Sequence, residues 1–315
     1  MMDNSSGEIM FVLQGLNDTR TNKQIYFAFG LLIYLLTLFI NFTLVITIAL
    51  DKMLHEPMYL FVCNLFVNGI YGASGVYPKI LADLILDSPV ISYTGCMTQI
   101  FIIYSYGFCE FTCLTVMAYD RYTAICKPLE YRSIITNQKV AKLLVCTWLY
   151  TLLETLLGVG LTTRLPFCGN NIDKPYCSNW EVVKLSCTDV TVNNLYGYIL
   201  ILSHFFQAVL IIVSYVHIIR ASLRSKTQWI KFVQTCLPHL ITFMNFTISM
   251  LFDAMYSRYG KNEGSQAVRS ILRMEFLIVP PLLNPLIYGM KVTQIRHSFL
   301  KMYSYKSKAL RQRYY

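Results

Sequence analysis

Residues 25–50 read IYFAFGLLIYLLTLFINFTLVITIAL, an apolar run that contains no charged side chain. A helix of about 20 such residues crosses the hydrocarbon core of a lipid bilayer, so an uncharged run of this length predicts a transmembrane helix. The composition agrees, because 55% of the 315 residues are apolar and only 14% are charged. Soluble domains usually carry about 25% charged residues. The sequence therefore predicts a membrane protein.

Further apolar runs follow the first, separated by segments that carry charged residues, Gly or Pro. Backbone groups in lipid must be paired within the span, so each run is expected to be a helix. The predicted fold class is an all-α membrane protein, a bundle of seven transmembrane helices. The predicted spans are 25–50, 58–80, 97–125, 140–161, 195–219, 232–252 and 267–288.

The Lys and Arg residues predict how the bundle is oriented. Most of the 27 lie in segments that face the cytoplasm if the N-terminus is outside, above all 121–142, 220–231 and 291–313. The positive-inside rule favours that orientation. It gives an extracellular tail at 1–24, the bundle at 25–290 and a cytoplasmic tail at 291–315. The net charge of +10 then belongs beside anionic lipid, so the lipid bilayer is an expected partner and nucleic acid is not.

Four of the ten cysteines fall on the predicted outer side of the membrane, where disulfides persist. Four cysteines allow three pairings, and their spacing does not choose among them. A zinc site is the alternative, although the loop between helices four and five contains no His. The outer tail also carries glycosylation sequons at Asn4 and Asn17. The four cysteines are Cys96, Cys168, Cys177 and Cys187.

Residues 117–131, MAYDRYTAICKPLEY, place an Asp120-Arg121-Tyr122 triplet at the predicted inner end of helix three. A charge at the membrane edge is costly and usually has a functional partner. Asp120 can hold Arg121 in an ion pair that opens when the helices move, as a receptor latch would. Taken alone, such a pair is more often a simple anchor at the lipid headgroups.

The whole 117–131 stretch resembles the helix-three signature of vertebrate olfactory receptors, a branch of the rhodopsin-like G-protein-coupled receptors. Helix two, with NLFVNG and VYPK, is similar to the fish members of that family. The helix-seven match contains the Asn-Pro-…-Tyr motif and implies a short amphipathic helix after it. The further matches are LHEPMY at 54–59, Pro78-Lys79, Ser214-Tyr215, KFVQTCLPHL at 231–240 and PPLLNPLIYGMKVTQIR at 280–296.

The resemblance implies an odorant receptor of the plasma membrane, multi-pass and located in olfactory cilia, with no enzymatic activity and no cofactor. A small odorant would bind in the outer half of the bundle and activate a heterotrimeric G protein of the olfactory stimulatory type, which raises cyclic AMP. The resemblance also implies the disulfides Cys96–Cys177 and Cys168–Cys187. The residues it implies for activation and G-protein coupling are Asp120, Arg121, Tyr122, Tyr215, His239, Asn284, Pro285 and Tyr288.

An odorant cavity is expected to be mostly apolar with few polar groups. Arg258, at the outer end of helix six, could clamp a carboxylate through two hydrogen bonds, so a carboxylate odorant is one hypothesis. The alternative is a loop arginine that pairs with Asp253, Glu263 or lipid phosphate. For the other candidates the alternative is ordinary helix packing. The expected lining residues are Ile103, Tyr104, Gly107, Phe108, His204, Gln207, Phe246, Met250, Leu251, Arg258 and Ile278.

Two positions depart from the family pattern. Gly69 stands where the family usually has an Asp that helps to hold a sodium ion, and Glu110 is the acid that remains. A sodium ion at Glu110, helped by nearby Asn oxygens, is one interpretation. A protonated Glu110 that is hydrogen-bonded to those amides is the other, because a lone buried carboxylate tends to neutralise. Phe246-Thr247 replaces the family's Phe-Tyr pair, so that tyrosine's part in activation does not carry over.

Two other classes of membrane protein would leave different signals in the sequence. A transporter or channel predicts charged residues along a midplane path and often a repeat between the two halves. Only Glu110 and Glu154 are deep acids, and the sequence shows no repeat. An intramembrane enzyme predicts paired Asp residues, or a His-Glu-x-x-His or Gly-x-Ser-x-Gly motif, and none of these occurs. A ligand-gated receptor is therefore the favoured interpretation.

Overall fold

The computed structural model describes residues 9–14, 19–259, 266–291 and 294–300, and seven long helices make up most of them. The predicted seven-helix fold is confirmed. Six of the seven predicted spans lie within a single helix, and 232–252 is divided between two helices. The long helices are α1 Arg20–Leu50, α2 Pro57–Leu86, α3 Tyr93–Cys126, α4 Asn137–Thr163, α5 Thr191–Ser222, α6 Leu237–Tyr259 and α7 Gln266–Lys291.

Within the described residues, α1 to α5 are long and apolar enough to cross a membrane by length and composition. Both α6 and α7 carry polar side chains within the bundle, such as His239, Thr242 and Asn284, and these side chains are buried. Burial against other helices removes them from lipid, which a polar group in a membrane requires.

Local sequence signals explain where several of the helices begin. Thr19, Ser92 and Thr136 precede α1, α3 and α4, and each side chain accepts a hydrogen bond from a backbone N–H three residues later, as an N-cap does. Helix α2 begins at Pro57, whose missing N–H costs nothing in the first turn. It is followed by Asp87, whose φ of 51° turns the chain away from the helix axis.

Helix six is interrupted at its inner end. A short helix, Lys226–Thr235, precedes α6, and Cys236 separates the two. Pro238 lies two residues beyond the break and has no N–H to donate to the preceding turn. The amide of Cys236 still donates to the Phe232 carbonyl at 2.8 Å, and its carbonyl accepts from Leu240 at 3.0 Å. Helical hydrogen bonds therefore continue on both sides of Cys236, so the two segments are joined end to end.

Helix α3 lies at the centre of the bundle. In its most apolar window 67% of the residues are buried, against 17% in α4 and in α5. The outward faces of the peripheral helices are rich in large apolar side chains, among them Phe39, Leu157 and Leu202. Soluble proteins rarely expose such continuous apolar surface. The distribution matches a bundle whose outer surface contacts lipid.

A small three-stranded sheet at the end where α3 begins was not predicted. Strand β1, Met10–Leu13, pairs antiparallel with β2, Val90–Ser92, and parallel with β3, Asn171–Ile172. Phe11 and Leu13 point inward and are buried, as the alternation of a strand requires. The predicted outer tail therefore contains a strand that joins two loops to one another.

Two disulfides hold the same end of the bundle together. Cys96, near the start of α3, is bonded to Cys177, and Cys168 is bonded to Cys187. These are the two pairs that the resemblance implied. The first bond ties the loop between α4 and α5 to the central helix, and the second closes that loop on itself.

The predicted features at the two ends of the chain are the glycosylation sequons and the amphipathic helix after α7. The sequons at Asn4 and Asn17 lie outside the described residues. A short helix, Gln294–Leu300, follows α7 where the resemblance places an amphipathic helix. It is two-sided, since Ile295 is buried against the bundle and Arg296 is exposed. Its position in a cytoplasmic tail stays a prediction.

Candidate ligand cavity and inner polar cluster

A cavity of about 530 Å³ lies among α3, α4, α5 and α6, beneath the loop that carries Cys177. This volume falls within the range of about 300–1,000 Å³ that is usual for small-molecule sites. Most of its lining is apolar, also as usual for such sites. The predicted lining residues that do line it are Ile103, Tyr104, Gly107, Phe108, His204, Met250 and Leu251.

Gly107 gives the cavity part of its depth. A Cβ atom at this position would lie 3.6 Å from Met250 Cε and 3.9 Å from Phe246 Cζ. Both are ordinary van der Waals distances, so a methyl group would fit without displacing its neighbours. A larger side chain would extend into the cavity. Glycine thus leaves room for a ligand between α3 and α6.

Three of the predicted lining residues, Phe246, Gln207 and Ile278, lie outside the described cavity wall, and a fourth is not described. Phe246 lies just below it and packs edge-on against Tyr106, with ring centroids 6.3 Å apart. The Gln207 side chain accepts a hydrogen bond from Thr115 Oγ1 at 3.3 Å. Ile278 packs on the α2 side of the bundle, against a cluster that includes Tyr77. The side chain of Arg258 lies outside the described residues.

A polar cluster that sequence reasoning missed closes the outer end of the cavity. Lys174 Nζ lies 2.5 Å from Asp253 Oδ1, and Tyr176 donates to the same oxygen at 3.2 Å. Lys174 is fully buried, so this ion pair is shielded from water. Tyr104 and Ser178 are joined by a second hydrogen bond of 3.2 Å. The loop is thereby fixed to α6 and to α3, and Asp253 has a cationic partner.

Another polar pair lies in the wall between α4 and α5. Glu154 Oε2 is 4.0 Å from His204 Nε2, and both side chains are 14% exposed. His204 Nδ1 is 2.9 Å from the Leu200 carbonyl, and the His204 ring packs against Phe108 with centroids 4.5 Å apart. Tyr196 donates to the backbone carbonyl of Glu154 at 2.7 Å. Tyr150 and Ser203 hydrogen-bond to the Glu154 carboxyl group, so neighbouring residues set the positions of both side chains.

At the other end of α3, Asp120 and Arg121 form the predicted ion pair, and their role as a latch stays a prediction. Arg121 Nη2 lies 2.5 Å from Asp120 Oδ2, and Tyr131 donates to Asp120 Oδ1 at 2.8 Å. Asp120 is 1% exposed. Burial, followed by the nearby Asp120 carboxylate, raises the pKa of the Tyr131 phenol, so Tyr131 stays a donor at neutral pH. Arg121 and Tyr131 thus share one buried carboxylate.

A hydrogen-bonded clamp lies beside that latch and connects three helices. His239 Nε2 is 3.0 Å from the Leu114 carbonyl, and Nδ1 is 2.8 Å from the Tyr215 hydroxyl. A carbonyl can only accept, so Nε2 carries the proton and Nδ1 accepts from Tyr215. Asp120, Arg121, His239 and Tyr288 surround one small pocket next to the clamp. Tyr122 lies outside this group and packs its ring edge-on against His217.

Glu110 lies in the core between the cavity and the latch. Asn68 donates to its Oε2 at 2.9 Å, and Asn284, followed in α7 by Pro285, donates to its Oε1 at 2.5 Å. The amide oxygens Asn41 Oδ1 and Asn68 Oδ1 are buried and have no hydrogen-bond partner among the described residues. Asn68 and Asn284 thus present N–H groups to Glu110, and these hydrogen bonds stabilise the carboxylate without a cation. The two unpaired oxygens are the groups that a sodium ion could use.

The sequence of the chain is similar to those of olfactory receptors. Residues 30–306 match the family model for the olfactory receptor. Olfactory receptor 1f45 of Rattus norvegicus is 33% identical over 310 residues, which cover 95% of this chain and 96% of the relative. Olfactory receptor 6N1 of Homo sapiens is 36% identical over 283 residues, which cover 87% and 89%. Olfactory receptor 52D1 of Homo sapiens is 34% identical over 273 residues, which cover 85% and 86%.

These matches extend over nearly the whole bundle, including the helices that form the cavity and the latch. The likeness of helix two to fish receptors stays a prediction. Olfactory receptors are multi-pass plasma-membrane proteins and signal as G-protein-coupled receptors, not as enzymes. The chain therefore belongs to the olfactory receptor family.

Proposed function

We propose that this odorant receptor binds a small, largely apolar odorant in the outer cavity and couples to the stimulatory G protein of olfactory neurons, which raises cyclic AMP. The observation that carries the proposal is the cavity of about 530 Å³, which lies on the same three helices as the inner clamp. Ligand and G protein would thus act on opposite ends of α3, α5 and α6.

Helix α6 provides the mechanical connection between those ends. Met250 and Leu251 line the cavity, and His239 lies about three turns closer to the cytoplasm on the same helix. A ligand that contacts Met250 more favourably in one position of α6 shifts the population of receptors toward that position. The hydrogen bonds that Cys236 makes with Phe232 and Leu240 connect α6 to the inner segment, so the inner segment would follow a change in α6.

Movement of α6 would take His239 away from Leu114 and Tyr215. Arg121, which shares a small pocket with His239, would then exchange Asp120 for a partner in the opened cytoplasmic end. Tyr215 and Tyr288 would line that opening, as the family resemblance implies. The opened end is the proposed surface for the G protein. The apolar outer faces of α1, α4 and α5 support the lipid bilayer as the second partner.

The carboxylate odorant inferred from Arg258 stays a prediction, because that side chain lies outside the described residues. Within the described wall of the cavity, Asp253 and Glu154 are acids, and the cation of Lys174 is bound to Asp253. The described side chains therefore give an anionic odorant no unpaired cation. The proposal does not depend on the charge of the odorant.

A cell-based cyclic-AMP assay tests the proposal. The receptor would be expressed with an extracellular tag, its surface level measured, and a panel of small alcohols, aldehydes, acids and amines applied. We expect at least one compound to raise cyclic AMP, and Gly107→Leu, whose side chain would extend into the cavity, to reduce that response at equal surface level. A receptor that reaches the surface and raises no cyclic AMP with any compound would contradict the proposal. A response unchanged by Gly107→Leu would contradict the location of the site.

A further inference from the structure

We propose that Glu154 and His204 form a subsite that binds the ammonium group of a primary amine, and that they select amines as the odorants of this receptor. The inference rests on the proposed function and names the ligand class. Glu154 belongs to α4 and His204 to α5, and both line the cavity. An acid inside a transmembrane helix is energetically expensive, and it usually marks a site of function.

The hydrogen bonds of His204 fix the role of each ring nitrogen. Nδ1 lies 2.9 Å from the Leu200 carbonyl, which can only accept, so Nδ1 carries a proton. In the neutral imidazole, Nε2 is then an acceptor. The ring is held by Phe108 on one side and by the edge of Phe111 on another. His204 Nε2 is therefore a hydrogen-bond acceptor with a fixed position in the cavity wall.

Glu154 presents a second acceptor to the same point. Its Oε2 lies 4.0 Å from His204 Nε2, which is too long for a direct hydrogen bond. Tyr150 and Ser203 donate to the Glu154 carboxyl group, but Oε2 and His204 Nε2 are buried atoms that have no hydrogen-bond partner among the described residues. Two buried acceptors that face one another without a donor are unfavourable, because each has lost its water. The missing element is a group that donates at least two hydrogen bonds.

A primary ammonium group has the geometry and the charge for this position. A nitrogen about 2.8 Å from both acceptors would subtend an angle of roughly 90° between them, near the tetrahedral angle of two N–H bonds. It would also neutralise the Glu154 carboxylate in a medium of low dielectric constant. A hydroxyl group has one proton and can satisfy one acceptor only. A carboxylate would add negative charge and no donor.

The other acid of the cavity does not compete for the amine. Asp253 is bound to Lys174 at 2.5 Å, and Lys174 is fully buried. Glu110 does not line the cavity, and both of its oxygens accept from Asn side chains. Glu154 is thus the acid of the described cavity wall that has no Lys or Arg partner. The basic side chain near it is His204, at 4.0 Å.

The rest of the cavity suits the hydrocarbon part of such a ligand. Phe108 lies beside His204, and Ile103 and Met250 continue the lining toward α6. An alkyl or aryl amine could place its nitrogen at the α4–α5 wall and its chain against α3 and α6. Contact with α6 would connect amine binding to the helix on which activation is proposed to depend.

The test measures cyclic-AMP dose responses for four compounds of one chain length: a primary amine, its trimethylammonium analogue, the alcohol and the carboxylic acid. We expect the primary amine to be the most potent in the unmodified receptor. The trimethylammonium compound keeps the charge and lacks N–H groups, so it should be weaker. Loss of a charge-assisted hydrogen bond corresponds to roughly ten- to a hundredfold in potency.

Variants then separate recognition from folding. Glu154→Gln should weaken the amine by roughly ten- to a hundredfold and change the alcohol little. His204→Phe keeps the ring packing and removes the acceptor, so it should weaken the amine selectively as well. Asp189→Asn is the matched control, because Asp189 is an exposed acid before α5 whose carboxylate accepts hydrogen bonds from Thr191 and does not line the cavity. It should leave the order of potencies unchanged.

Several outcomes would overturn the subsite. Equal potency of amine and alcohol in the unmodified receptor would indicate that a water molecule bridges the two acceptors. Equal losses for all four compounds in Glu154→Gln would assign Glu154 to folding. The ratio of amine to alcohol potency within one variant does not depend on surface level, so poor expression cannot imitate selectivity. A receptor that answers alcohols but not amines refutes the subsite alone, whereas a surface-expressed receptor that answers nothing refutes the proposed function.

Discussion

A side chain of one helix can satisfy a backbone group that a proline leaves without a hydrogen-bond partner in another helix. Pro285 has no N–H, so the carbonyl of Pro281 one turn earlier loses its helical partner. Asn41 of α1 donates to that carbonyl at 2.8 Å and also to the Thr37 carbonyl at 2.7 Å. A buried polar group without a partner costs about 1–3 kcal/mol, so this contact matters for packing α1 against α7. The Asn-Pro motif of helix seven therefore requires an amide from helix one.

Two other amides of the core, Asn68 and Asn284, determine how the receptor should respond to sodium. Asn68 and Asn284 donate to both oxygens of Glu110, so the carboxylate is stabilised without a cation. Gly69 supplies no second acid. We therefore expect agonist potency to change by less than about threefold when sodium is replaced by a bulky organic cation at constant ionic strength. This is well below the tenfold change that corresponds to about 1.4 kcal/mol. Dose–response curves in the two buffers measure it.

Two variants sharpen the sodium experiment. A Cβ atom at position 69 would lie 3.3 Å from Asn41 Oδ1 and 3.5 Å from Pro281 Cα, so an added side chain needs a small shift of Asn41. Gly69→Asp should introduce sodium dependence by adding a carboxylate, and Gly69→Ala controls for the added atom. A large sodium effect in the unmodified receptor that disappears in Glu110→Gln would show that one acid is sufficient.

At the scale of elements, the seven spans could be predicted because each is an uninterrupted apolar run, and lipid selects helices from such runs. Their ends depend on caps and on Pro, which is why α1 begins earlier than predicted and helix six divides at Cys236. The outer sheet could not be predicted. Its strands are only two to four residues long and pair across loops far apart in sequence.

Strand β1 should therefore stabilise the roof of the cavity. Phe11 is fully buried and packs edge-on against Phe167, with centroids 5.5 Å apart. Replacing a buried Phe by Ala typically costs about 3–5 kcal/mol. We expect Phe11→Ala to lower the melting temperature of the purified receptor and its surface level. Val12→Ala on the same strand is the control, because Val12 is 36% exposed. Similar losses in the two variants would mean that strand packing does not stabilise the roof.

At the scale of the whole molecule, composition and charge were sufficient to predict a membrane protein, and the family resemblance implied a receptor, but neither located the ligand site. Helical spacing selected the α3 residues of the cavity wall, because they share one face. It could not select Lys174, whose partner Asp253 is 79 residues away, or the approach of Glu154 to His204. Neither contact leaves a local pattern, since each depends on how separate helices and loops pack.

Substitutions in the Asp120–Arg121 latch should change the cyclic-AMP signal of the whole receptor. Arg121→Ala should reach the cell surface and lose most agonist-driven cyclic AMP, because the proposed opened state lacks its central cation. Tyr131→Phe should act in the opposite direction. It removes the 2.8 Å hydrogen bond to Asp120 and leaves the ring in place. A hydrogen bond to a charged group contributes about 1.5–3 kcal/mol, which corresponds to roughly a ten- to hundredfold rise in the ratio of active to resting receptors and a matching rise in basal cyclic AMP.

A second tyrosine of the same region supplies the control for that prediction. Tyr119 lies on α3 close to the latch, but its hydroxyl accepts from Lys139 at 2.9 Å and does not contact Asp120. Tyr119→Phe removes a hydroxyl of the same kind and should leave basal cyclic AMP unchanged. Basal signalling that rises equally in both variants would reflect a general loosening of the inner loops. If Tyr131→Phe lowers basal signalling, Tyr131 supports the active state, and the shared carboxylate of Asp120 is not what holds the receptor at rest.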